Sequence, residues 1–268
     1  LKRPILVVTY NYEQAERLYD DIDTILNGSG GVMLLPPADS MIYQEADTDF
    51  DVIGKRLSAM ARLQDGRPVV VVAPIAAVLQ RTVPPEVFQA HRMRIEKTHE
   101  MDVDDCAERL VEFGYERVDM VERQGEFSKR GGILDIFAST ENAPIRIELF
   151  GDEIESIRAF DIETQRSIGE LESAEIAPAR EIFLGVERSE AAARMLEELL
   201  NQAASELEET SGPEAGDKLR LKVDSDIARI SGREYFDGAE YYFPAVYPEE
   251  FSLLDYLPAR TTVVLDEP

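Results

Sequence analysis

The stretch FSKRGGILDIF, Phe127 to Phe137, sets Lys129 and Arg130 before a glycine pair and an apolar run. The chain carries 54 acidic against 28 basic residues, a formal net charge of -26. Most of its basic residues read as ordinary solvated charges, but a local basic pair on so acidic a background is more informative than on a neutral protein. Ile133 to Phe137 read as a short strand of branched and aromatic residues. The glycines read as a bulge or tight turn at its mouth, which holds Lys129 and Arg130 at a defined angle.

A second constellation lies in IRIELFGDEIESI, Ile145 to Ile157, a hairpin turning at Gly151-Asp152. Strand alternation puts Ile145, Ile147 and Leu149 on one face and Arg146, Glu148 and Phe150 on the other. Paired across the turn, Glu148 is expected opposite Glu155, an unfavourable like-charge pair unless a cation approaches. Two readings of Phe150 stand side by side: a binding hot spot next to an arginine, or one of the single exposed apolar residues common on any surface. Arg146 has a bland reading too, as the cation that neutralises Glu148 and Glu155.

Other motifs carry less chemistry. The run GSGG, Gly28 to Gly31, follows a helix and precedes a strand, whereas a phosphate loop joins a strand to the next helix and ends in Lys-Ser/Thr. It reads as a surface turn. VVLDE, Val263 to Glu267, resembles a Walker B strand whose acidic pair holds Mg²⁺, but no phosphate loop accompanies it. Cys106, the single cysteine, excludes an internal disulfide and reads as a small core residue, with neither His91 nor His99 at a zinc spacing from it. No Ser/His/Asp set has helpful spacing, and among so many carboxylates paired acids are uninformative.

The elements that position these residues follow from periodicity. Pro4 to Tyr10 is a buried strand, and the helix after it carries Ala15, Leu18, Tyr19, Ile22 and Leu26 near a 3.6 period. Val32 to Leu35, a helix over Ile53 to Leu63, a strand at Val69 to Ala73 and a helix-like Ile75 to Gln80 complete an α/β layer with a parallel sheet. Pro84-Pro85 breaks the pattern. An amphipathic helix, Asp104 to Gly114, and several alternating strands up to about Pro178 then form a smaller α+β domain. An acidic helix, Ser189 to Glu209, is expected to be interrupted by a loop at Thr210 to Gly216. The final Thr261 to Pro268 reads as a buried strand that rejoins the first sheet, so the expected organisation is an α/β domain, residues 1–91 and 179–268, with an insertion at 92–178. The composition, 44% hydrophobic, is that of a globular protein, no apolar run reaches the ~20 residues of a bilayer span, and cytoplasm is the expected compartment. A chain opening on Leu1 is expected to be a fragment.

Three stretches carry a family resemblance: GEFSKRGGILDIF from Gly125, IRIELFGDEIESI from Ile145, and FDIETQ from Phe160. They resemble the amino-terminal module of the bacterial transcription-repair coupling factor family, itself similar to the UvrB subunit of nucleotide excision repair. The first strand and helix, Gln44 to Arg56, Pro84-Pro85 and the final strand fall in the family's order. UvrB shares the core around Arg130-Gly131 and Phe150 to Ile154. The coupling-factor likeness is closer in Gly125 to Phe127 and in FDIETQR, Phe160 to Arg166. UvrB's aromatic-rich DNA-gripping hairpin has no counterpart after Met33, where the chain continues through Leu34 to Asp39.

The resemblance implies a degenerate P-loop helicase-like fold that has lost ATP binding, requires no cofactor and keeps a surface for UvrA. It places Arg130, Arg146 and Phe150 on that surface, with Lys129, Glu148 and Glu155 as neighbours. Asp266-Glu267 looks less degenerate than this picture. An alternative is a UvrB-like DNA-dependent ATPase whose motor continues beyond both ends. In the coupling-factor reading, the parent protein is an ATP-dependent DNA translocase that meets RNA polymerase and DNA through regions absent here, and other parent domains can mask the UvrA face.

Overall fold

The structure is a computed structural model and describes residues 2–28, 30–38 and 50–266. The chain opens with β1 (Ile5–Thr9), α1 (Tyr12–Ile25), β2 (Val32–Leu34), α2 (Phe50–Gln64), β3 (Val70–Pro74), α3 (Ile75–Leu79) and α4 (Pro85–Ala90). Helix α1 starts where Asn11 accepts the Gln14 amide, an N-cap that satisfies one of the first-turn donors. Its predicted face packs Ala15, Leu18, Tyr19, Ile22 and Leu26 on Val7, Val32, Val70 and Val72. The near-continuous apolar strands are buried as a parallel sheet requires.

The next part comprises β4 (Met93–Glu96), α5 (Val103–Glu112), β5 (Glu116–Arg117), β6 (Glu126–Arg130), β7 (Ile133–Ile136), β8 (Ile145–Phe150), β9 (Glu153–Phe160), β10 (Ser167–Leu171) and β11 (Ser173–Ile176). Strands β5 to β10 form a six-stranded sheet in the order β10-β9-β8-β7-β6-β5, antiparallel except that β5 runs parallel to β6. Asp102 caps α5 through the amides of Asp104 and Asp105. The apolar stripe of α5, Cys106, Ala107 and Leu110, lies in one core with Phe127, Leu134, Ile136, Ile147 and Ile157 of the sheet. Burial pushes the Cys106 thiol up to about 11, so at neutral pH it is an uncharged core group.

The chain ends with α6 (Val186–Ser211), α7 (Pro213–Ser231) and, after shorter turns, β12 (Thr262–Leu265). The acidic helix is broken at Gly212 alone, with φ 90, and resumes at Pro213; the loop expected over Thr210 to Gly216 is thus a one-residue corner between two helices. Proline at the first helical position and glycine before it explain why turn-rich residues start a helix here. Strand β12 does rejoin the first sheet, parallel to β1, in the order β12-β1-β3-β2. It is an exposed edge rather than a buried strand: Val263, Val264 and Leu265 are 49%, 43% and 59% exposed, because only its β1 side is paired among the described residues. By contacts the described chain forms two compact units, one spanning Ile182–Glu249 and the other holding the described residues before 182 and after 249.

Candidate functional site

Cross-strand register places the chemistry predicted from sequence on the six-stranded sheet. Gly131 and Gly132 are the two residues between Arg130 and Ile133, which pair directly, so they form the tight turn of a hairpin. Gly131 takes φ +61, and a side chain on Gly132 would come within 2.8 Å of the Leu149 carbonyl oxygen. Phe150 pairs with Glu153 around Gly151-Asp152, as the alternation predicts. Since β6 and β8 both run antiparallel to β7, Arg130 and Phe150 reach the same end of the sheet.

Directly paired residues share a face, which sorts the candidates row by row. Ser128, Asp135, Arg146 and Arg158 form one outer row; Arg130, Ile133, Glu148 and Ser156 form the next. Phe150 follows on that face and is 81% exposed, and Ile133 between the two hairpins is 36% exposed. Lys129 shares its row with Leu134 and Ile147, on the core side, where its ammonium pairs with Asp104 of α5. It is therefore no neighbour of the outer face: the strand pleat separates adjacent residues.

The Glu148–Glu155 pair is also corrected. Strand β9 bulges at Glu155, so Glu148 faces Ser156 and Leu149 faces Ile154. Glu148 accepts the Ser156 hydroxyl at 2.7 Å and Arg158 Nη2 at 2.8 Å, which removes the repulsion that a regular register implies. Glu155 stays exposed at the bulge. The direct partner of Arg146 is neither of those glutamates, although the Glu148 charge still acts on it. Its Nε and Nη2 donate to the two oxygens of Asp135 at 2.7 and 2.8 Å. Its guanidinium lies 4.7 Å from the Phe160 ring centroid and donates to Gln165 at 3.3 Å. The Asp135 carboxylate raises the Arg146 pKa further above its ordinary value. Arg130 reaches the same carboxylate at 3.2 Å through Nη2.

Three predicted residues thus meet on one face in graded exposure. Phe150 and Arg130 point outward, the Arg130 side chain being 55% exposed, while that of Arg146 is 22% exposed and held through Nε and Nη2. Asp135, 1% exposed, is the centre that sequence reasoning missed. Its signal was available in the alternation of ILDI, which puts one acid between apolar residues of a buried strand. Ile133 was missed because it was read only as part of that apolar run.

Elsewhere, Asp266 at the end of β12 accepts the Gln14 side-chain amide at 2.9 Å, and its acidic neighbour Glu267 lies outside the described residues, as do residues 44–49 of the resemblance. No helix among the described residues is long and apolar enough to cross a membrane.

Comparison with known proteins bears on this same face. A family described as the UvrB interaction domain matches residues 93–182, the segment that holds the six-stranded sheet. Across 99% of the chain, 38% of residues are identical to a transcription-repair-coupling factor of Bacillus subtilis. The chain belongs to the transcription-repair-coupling factor family. Coupling factors of Myxococcus xanthus and Haemophilus influenzae share 33% and 31% identity over 100% and 97% of the chain. The chain spans about a fifth of the length of these coupling factors, 22% of the first and 21% of the last.

Proposed function

We propose that this chain is the UvrB-like amino-terminal module of a transcription-repair coupling factor and that it recruits UvrA for transcription-coupled nucleotide excision repair, without hydrolysing ATP itself. The observation that carries the reading is the outer sheet face within the UvrB-interaction segment, where Arg130, Ile133 and Phe150 stand exposed at one end over the locked Arg146–Asp135 pair. An exposed aromatic beside a guanidinium fork is the pairing that binding hot spots favour. Burying the Phe150 ring contributes about 2 kcal/mol by apolar area alone. In this reading the parallel sheet β12-β1-β3-β2 is a degenerate relative of a helicase motor, and polymerase and DNA are met through other regions of a longer coupling factor.

The test is UvrA affinity by biosensor for Arg130→Ala and Phe150→Ala, with Arg229→Ala in α7 as a control. Each of the first two is expected to raise Kd by about 10- to 100-fold with an unchanged thermal midpoint, and the control to bind normally. Unaltered affinity in both variants would sink the proposal. Clear ATP turnover by the fragment, with or without DNA, would instead favour a UvrB-like ATPase.

A further inference from the structure

Asp135 occupies the middle of the outer face yet is too buried to touch a partner, at 1% exposure. Its two oxygens are divided unequally between two arginines. Arg146 receives both, through Nε and Nη2, and is braced from behind by the Phe160 ring and from the side by Gln165. Few of its donors remain for another protein. Arg130 gives the carboxylate one contact of 3.2 Å out of the five N–H donors of a guanidinium. Its exposed head borders a shallow pocket of about 740 Å³ lined by Arg117, Val118, Asp119, Ser128, Lys129 and Arg130. The Ser128 hydroxyl donates to the Asp119 carbonyl there, which fixes the pocket wall. The Lys129 ammonium is turned away to Asp104, and Arg117 pairs with Phe127 in a core-side row, so Arg130 is the guanidinium that the outer face offers here.

We infer that Asp135 is a positioning residue of the docking face: it locks Arg146 as a fixed brace and holds Arg130 to receive a carboxylate side chain of the partner. This rests on the UvrA-docking reading of the same face. A guanidinium fork matches a carboxylate bidentately, and such a pair depends on the angle at which the fork is held. The division also assigns different roles to the arginines. Arg130 is a contact residue, whereas Arg146 acts by keeping Asp135 neutralised and in place.

A double-mutant cycle on UvrA affinity tests this, because residues that act through one another are non-additive. Asp135→Asn is expected to weaken binding about 10-fold in the otherwise unchanged chain and in a Phe150→Ala background, but less than about 2-fold in an Arg130→Ala background. Equal losses from Asp135→Asn in all three backgrounds, or no loss, would overturn the inference, since a merely structural role does not depend on Arg130. Should Asp135→Asn melt below the assay temperature, Asp135→Glu, which keeps the charge and shifts it by one methylene, carries the same cycle. If Arg130→Ala and Phe150→Ala alone bind UvrA normally, the docking reading itself fails; if they weaken binding and Asp135→Asn does not, only the positioning role falls.

Discussion

Arg56 is 1% exposed, and its Nε and Nη2 donate to Glu181 at 2.5 and 3.0 Å while Nη1 reaches the Pro36 carbonyl at 2.9 Å. Burying two ions is unfavourable in itself, and the pair persists because each charge answers the other and the spare donor finds a carbonyl. Removing one partner leaves a buried uncompensated charge. Arg56→Ala is expected to lower unfolding free energy by about 3–5 kcal/mol in urea titration, and Arg56→Met with Glu181→Met to restore most of it. A single-variant loss below about 1 kcal/mol would show that Glu181 finds water or another cation instead. Nothing in the local sequence marks this pair, whose members stand 125 residues apart. Arg146 was legible as a functional candidate because its strand alternates, yet its pairing with Asp135 was not, since alternation within β7 and β8 does not fix their register across the loop between them.

The elements themselves were more legible than their contacts. Periodicity gave α1, α2, α5 and the β8–β9 hairpin, because each places apolar residues on one face at a regular interval. The bulge at Glu155 escaped it, for one extra residue in β9 leaves the β8 alternation intact. Helix α7 escaped because turn residues opened it, and the edge position of β12 because an apolar strand reads alike whether one or both sides are paired. Gly54 shows the same limit inside α2. By helix propensity, Gly54→Ala gains about 1 kcal/mol. Its new Cβ, however, would lie 2.0 Å from the Ser139 backbone oxygen after β7, too close to be relieved by rotating a side chain. Overpacking of this kind costs about 1–3 kcal/mol or more, so the net sign is destabilising. The thermal midpoint of Gly54→Ala is expected to fall by about 2–8 °C. A rise would mean that α2 shifts freely away from Ser139.

Charge decides the expected behaviour of the molecule towards nucleic acid. Its relatives are named for coupling transcription to repair, yet a formal net charge of -26 gives this chain a field that repels phosphates at distances where individual contacts do not yet matter. Local cations do not reverse this on the outer sheet face. Arg146 is held by Asp135, Arg158 by Glu148, and Lys129, on the other side, by Asp104. That leaves Arg130, 55% exposed and touching Asp135 through Nη2 alone, far short of the 6–10 phosphate contacts of a typical strong DNA binder. Each missing contact also means about one counterion fewer released, so the affinity that remains is weak at any salt and its salt slope shallow. The chain alone is therefore expected to give no gel shift with duplex DNA at about 0.15 M salt while still binding UvrA under the same conditions. Tight, salt-sensitive DNA binding that Arg130→Ala abolishes would show that this face serves phosphates rather than a protein carboxylate.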